Sequence, residues 1–196
     1  RRQRQMCIRD SAWGNNSDGQ LGAGNTTSTS TPGQVGAMPT GVQVKQVSVG
    51  NDHLLVLGAD GHAYASGANH SGQLGDGTTT GRSTLVPVTM PAGVTFTRVF
   101  AGPRSSAALA SDGHTYIWGS FPELLSSQGT ASRQSLSPVR AVVPAGESLT
   151  QVSPGQGTFM AVTSSGKVYG WGDGSWGVLG AVSYTHLRAH ETLMNL

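Results

Sequence analysis

Few residues in this chain have types and spacings that could do chemistry. Gly172-Asp173-Gly174-Ser175-Trp176-Gly177 has the G-x-G-x-x-G spacing that lets a backbone close around a pyrophosphate at the start of a helix. A strand is expected just before it, but no helix can begin in the glycine-dense stretch running on to Gly180, so a structural loop is expected instead. Asp18, Asp76 and Asp173 sit in glycine-rich loops that could offer carboxylates to Ca²⁺. No Asp-x-Asp spacing gathers the several oxygens that ion needs, so turn formation is the expected role. His53, His62, His70 and His114 fall in no zinc-ligand spacing, and no serine stands in a G-x-S-x-G elbow. Sequons at Asn15, Asn25 and Asn69 matter only in a glycosylating pathway. The pair Asp52-His53 is unrepeated: its counterparts are Arg104-Ser105 and Gly157-Thr158. Hydrogen bonding within its own turn is the simplest role for it. The expectation is a chain without a catalytic group, cofactor or metal.

The elements that must position these residues repeat. Trp13-Gly14, Ser66-Gly67, Trp118-Gly119 and Trp171-Gly172 are spaced 53, 52 and 53 residues apart. Pro39-Thr40-Gly41, Pro91-Ala92-Gly93 and Pro144-Ala145-Gly146 keep the same interval, as do Gly50, Gly102 and Gly155. So do Asp60-Gly61, Asp112-Gly113 and Ser165-Gly166, and the loops Gln20-Leu21-Gly22, Gln73-Leu74-Gly75 and Val178-Leu179-Gly180. Markers held in register over this period define an array of structural repeats. A residue that recurs once per repeat is better explained by repeat geometry than by a site, because an active site occurs once.

Each period reads as short strands. Residues 42–49 and 94–99 alternate apolar and polar side chains, as half-buried strands do. Residues 53–57, 105–110 and 158–163 are more continuously apolar and suit strands covered on both faces. Two-residue turns of type I′ at Asp60-Gly61, Asp112-Gly113 and Ser165-Gly166 are expected to lead into strands at 62–66, 114–118 and 167–171, placing His62 and His114 at strand starts. A fourth strand is expected at 85–89 and 138–143, where proline points to a sheet edge. Four antiparallel strands in about 52 residues describe a blade of a β-propeller.

The chain has 196 residues, 29 of them glycine, with a formal charge of +2. That charge comes from the ends: Arg1, Arg2, Arg4 and Arg9 at one, Arg188 at the other, with the sole cysteine, Cys7, beside the first group. Met6 to Asp10 can be encoded by a DNA string whose reverse complement encodes Val182 to His186. Residues 1–11 and 182–196 resemble translated, inverted sequencing adapters and are expected to be non-native. Without residues 1–11 and 182–196, seven basic residues face eight acidic ones, a net charge near −1. No nucleic-acid partner is therefore expected. No apolar run reaches the length of a membrane span. Residues 12–181 form the repeat region, divided at about 14–66, 67–118 and 119–171 with the start of another repeat at 172–181.

The string Val49-Gly50-Asn51-Asp52-His53-Leu54, with Ala59-Asp60-Gly61-His62-Ala63-Tyr64-Ala65-Ser66-Gly67 and Asn69-His70-Ser71-Gly72-Gln73-Leu74-Gly75-Asp76-Gly77-Thr78 after it, resembles a repeat of the RCC1 (regulator of chromosome condensation) family. Residues 96–119 match the same pattern, and Ser120-Phe121-Pro122-Glu123-Leu124-Leu125 then departs from it. The resemblance covers nearly all of residues 12–181. It implies an all-β propeller of seven blades, of which about three are present. The end blades then expose apolar faces, so the chain is expected to be marginally stable or to self-associate. In the family's exchange factor for the Ran GTPase, loops like Asp52-His53 lie on the GTPase-facing side, which makes Asp52, His53 and Arg104 the candidate partner-binding residues. Two functions follow: a non-catalytic scaffold for a protein or glycan partner, or part of a guanine-nucleotide exchange factor for a small GTPase. The Ser, Thr, Gly and Asn content with sparse lysine resembles secreted or cell-surface microbial members of the family.

Overall fold

In a computed structural model, the structure describes residues 11–34, 38–39, 41–121, 134–143 and 145–172. The two terminal peptides apart from Ser11, the 173–181 loop with most of the glycine hexapeptide, Thr40 and Pro144 of the proline turns, and most of the departing loop after Ser120 lie outside the described residues. Strand pairs β1 (Ser11–Gly14) and β2 (Thr29–Gln34) make a two-stranded sheet. A four-stranded meander follows, β3 (Val44–Val49), β4 (His53–Gly58), β5 (Ala63–Gly67) and β6 (Arg82–Pro87). A second meander is β7 (Phe96–Ala101), β8 (Ser105–Ala110), β9 (Thr115–Ser120) and β10 (Gln134–Arg140). A three-stranded sheet, β11 (Leu149–Pro154), β12 (Thr158–Thr163) and β13 (Val168–Gly172), ends the described chain. Every neighbouring pair is antiparallel. No helix occurs among the described residues, and so none long and apolar enough to cross a membrane. This is an all-β, incomplete propeller.

Burial follows the position of a strand in its sheet. All six residues of β4 and all five of β5 are buried, whereas β3 alternates along its length. Sheets stack face to face, and alternate residues of one strand serve two cores. On β8, Ala108 and Ala110 pack with Leu55, Leu57, Phe96 and Trp118, while Ala107 packs with Ile117, Val152 and Phe159 on the other side. The sequence repeat is offset from the sheet. A repeat that starts at Ser66-Gly67 first supplies β6, which pairs with β5 of the sheet before it, and only then the three inner strands of its own sheet. Each repeat therefore joins two sheets.

The hairpin positions are as expected, but the turn type differs. Gly58 and His62 pair across the turn, since the Gly58 N–H donates to His62 O at 2.8 Å, leaving Ala59-Asp60-Gly61 as a three-residue loop. A type I′ turn needs positive φ at both central residues, yet no described non-glycine residue has one, while Gly61 has φ 81°. Asp60 instead keeps negative φ and its carboxylate accepts the His62 N–H at 3.0 Å. The same loop recurs at Gly113 and Gly166. Strands expected at 94–99, 85–89 and 138–143 lie at Phe96–Ala101, Arg82–Pro87 and Gln134–Arg140. An outer strand has one neighbour only, and that pairing rather than its own apolar pattern sets its limits.

Candidate interaction surface

An antiparallel meander sends its first and third connections to one edge of the sheet and its second to the other. The short β3–β4 and long β5–β6 connections therefore share a face, as do their counterparts in each repeat. This loop face carries the unrepeated residues. Asp52 is half-buried there, its carbonyl accepting the Ala68 N–H at 2.7 Å. Arg104, at the equivalent position, is exposed, and its carbonyl accepts the Ser120 N–H at 2.8 Å. Both backbones are pinned and both side chains remain at the surface.

His53 is withdrawn from that surface. Its carbonyl accepts the Gly50 N–H at 2.9 Å within the turn, but its side chain is fully buried and its Nε2 lies 2.9 Å from Ser106 Oγ on the next sheet, so the imidazole does not bond within its own turn. Ser106 has one hydroxyl proton, which it donates to Gln73 O at 2.7 Å. The serine oxygen must then accept from histidine, which fixes the neutral tautomer with the proton on Nε2. Nδ1 has no hydrogen-bond partner. Burial lowers the His53 pKa to about 4. Gly50 lies against this ring, and a Cβ there would also strike the carbonyl of Gly102 in the next sheet. The recurring strand-end glycine thus marks where the inner strands of adjacent sheets approach most closely.

The long loops are shaped from within. Asn69 is fully buried; its amide donates to Asp76 Oδ1, Thr78 O and Thr80 O at 3.0–3.1 Å, and its carbonyl accepts the Leu74 N–H at 3.0 Å. Asn16 is buried in the same way, bonding Asn25 and Thr27 and accepting the Leu21 N–H. Asp76 accepts from the Thr78 backbone and hydroxyl and from Arg82. Burial acts to raise its pKa, and these hydrogen bonds more than offset that, leaving it lowered. The turn-forming role expected for Asp76 is what the geometry displays.

Both described long loops also dock on the next repeat. Gln73 O accepts the indole N–H of Trp118 at 2.9 Å, and Gln20 O accepts the hydroxyl of Ser66 at 3.3 Å. Ser66 stands where the other repeats have tryptophan because either side chain supplies the donor this carbonyl needs. Sequence reasoning missed Asn16, Asn69 and Ser106 as organising residues. For the asparagines the signal was present, since they recur 53 residues apart before Gln-Leu-Gly. The Asn69 sequon is buried and fully bonded, whereas Asn15 and Asn25 are exposed.

The opposite face carries carboxylates with polar partners: Asp60 with His62 at 3.3 Å, Asp112 accepting from the Tyr116 hydroxyl at 2.8 Å, and Glu147 paired with Lys167 at 3.0 Å. An open depression of about 340 Å³ lies among Asp112, His114, Arg140 and Glu147. Among the described residues no three His, Cys, Asp or Glu side chains converge as a metal site.

The chain matches the regulator of chromosome condensation (RCC1) repeat family over residues 12–57 and 60–109, with a second match of that description at 44–73. It is 32% identical over 171 residues to the ultraviolet-B receptor UVR8 of Arabidopsis thaliana, covering 86% of this chain and 38% of the relative. It is 30% identical over 164 residues to the human regulator of chromosome condensation, covering 84% and 38%. Among solved structures, human WBSCR16 aligns with a TM-score of 0.72 and 26% identity over 87% of this chain and 44% of that one. Prp20p of Saccharomyces cerevisiae aligns with a TM-score of 0.73 and 22% identity over 89% and 44%, a likeness of fold. The chain thus spans well under half the length of the relatives it matches.

Proposed function

The chain belongs to the RCC1 repeat family, and from that premise we propose that it is a non-catalytic interaction segment whose loop face binds a protein or glycan partner. The observation that carries this reading is the division of labour on that face. The recurring Asn16 and Asn69, together with Asp76 and the buried His53, are spent on holding the loops and joining the sheets. Asp52, half-buried, and Arg104, exposed, hold one repeat position with opposite charges and reach the surface beside other exposed loop side chains such as Asn51 and His70. An invariant scaffold with variable exposed tips suits recognition. In this reading Asp52 and Arg104 touch the partner, and His53 supports their loops from below. The test is a glycan and protein array probed with the chain and with an Asp52→Lys/Arg104→Glu variant of unchanged circular dichroism. Binding by the chain that the variant loses supports the reading. Equal binding by both places recognition elsewhere and overturns it.

A second reading, exchange activity on a small GTPase, draws on the likeness to the human regulator of chromosome condensation. Asp52 is the residue it would use, as a carboxylate competing with the nucleotide's phosphates or meeting basic groups of the GTPase. His53 cannot join it at the surface, because its ring is enclosed between sheets. This weakens the second reading relative to the first.

A further inference from the structure

We infer that two copies of this chain associate head to tail, the outward face of β11 in one copy docking on β3 of the other. The junction required is already made once inside the chain. Where the β3 sheet meets the β7 sheet, Gln46 Nε2 donates to Val99 O at 2.7 Å and the Val99 N–H donates to Gln46 Oε1 at 3.0 Å. The Ala101 N–H donates to Ser48 Oγ at 2.9 Å. The second junction is built differently, with Arg98 Nη1 donating to Thr150 O at 2.9 Å.

At the trailing edge the first pattern returns. Gln151 and Ser153 hold the repeat positions of Gln46 and Ser48 and have the same side chains. Both are exposed and neither side chain has a hydrogen-bond partner among the described residues. The leading edge offers the matching surface. Val47 and Val49 are 52% and 68% exposed, whereas Val99, the counterpart of Val47, is 0% exposed. Setting β11 of one copy against β3 of another gives Gln151 the backbone N–H and C=O of Val47, gives Ser153 the N–H of Val49, and covers two exposed valines.

The repeat arithmetic allows this placement. Trp13 on β1 and Trp171 on β13 hold the same repeat position, so β13 of one copy takes the place of β1 in the other. β1 has four residues, three of them exposed. It yields, and β2 then lies beside β13 as β6 lies beside β5, giving one four-stranded sheet from two chains. The interface is heterologous, so a pair keeps one free β3 and one free β11 and adds further copies unless the rotation closes a ring.

Sedimentation velocity of the full chain over a wide concentration range is expected to show assembly that grows with concentration. Val47→Glu/Val49→Glu blocks one surface and Gln151→Glu/Ser153→Glu the other. Each double variant alone is expected to be monomeric, and an equimolar mixture is expected to form a two-copy species and nothing longer. Recovery on mixing also demonstrates that both variants fold. A chain that stays monomeric at every concentration overturns the inference. So does a Gln151→Glu/Ser153→Glu variant that still assembles by itself, which would mean two β3 faces meet each other. A mixture that stays monomeric while both variants retain the sheet circular dichroism overturns it as well.

Discussion

Replacing His53 by glutamine tests whether a buried neutral imidazole holds the first two four-stranded sheets together. In the folded chain burial lowers the His53 pKa from 6.5 to about 4, while in the unfolded chain it titrates at its ordinary value. Below that ordinary value the unfolded state binds a proton that the folded state refuses, so stability falls as the solution is acidified. The full shift corresponds to about 3 kcal/mol, and about 2 kcal/mol of it is lost between about pH 7.5 and about pH 5. Carboxylates enter at lower pH: Asp76 and Asp112 have lowered pKa values, so the stability they contribute is lost only as the pH falls below the usual aspartate range. His53→Gln keeps an amide N–H for Ser106 Oγ and removes the titration. Urea unfolding followed by tryptophan fluorescence should therefore give a wild-type unfolding free energy that drops between the two pH values and a variant value that drops by about 2 kcal/mol less. Parallel pH dependence in the two proteins would refute the reasoning. A His53 proton resonance titrating near its ordinary value would do the same.

Three further substitutions read other parts of the scaffold. Gly50→Ala places a Cβ against the Gly102 carbonyl and the His53 ring, and should cost about 1 to 3 kcal/mol in urea unfolding, with a Ser30→Ala control near zero. Asn69→Ala leaves the Leu74 N–H and the Thr78 and Thr80 carbonyls without their partner; a loss of about 2 to 4 kcal/mol and faster proteolysis within residues 68–81 are expected. Trp118→Phe keeps the ring stack on Phe96 but deletes the donor to Gln73 O, so it should cost about 1 to 2 kcal/mol, well short of the cavity cost of Trp118→Ala.

The fold was legible where one repeat could be laid on another. Strand β8 begins and ends where its apolar run does, because a strand covered on both faces has nowhere else to place those side chains; β12 keeps its expected limits, but only its alternate residues are buried, so it is not covered on both faces as expected. The outer strands β6 and β10 shifted toward the N-terminus of their expected limits, since their register is set by pairing with β5 and β9. The Asp60-Gly61 turn was located but mistyped: Gly61 alone supplies positive φ, and Asp60 uses its carboxylate instead. The candidate site was less legible. His53 is read both as the start of the covered strand 53–57 and, with Asp52, as a candidate partner-binding residue; it does open the fully buried strand β4, which leaves Asp52 without it at the surface. Its partner Ser106 lies 53 residues away on another sheet, a contact that no local pattern announces.

Nucleotide release from a small GTPase tests the central functional claim most directly. The chain is titrated into the human Ran GTPase loaded with a fluorescent guanine nucleotide, and the release rate is followed with excess unlabelled nucleotide present. A non-catalytic interaction segment predicts the same rate with the chain, with its Asp52→Ala variant and with buffer. Release accelerated by the chain and restored to the basal rate by Asp52→Ala would contradict it and establish exchange activity.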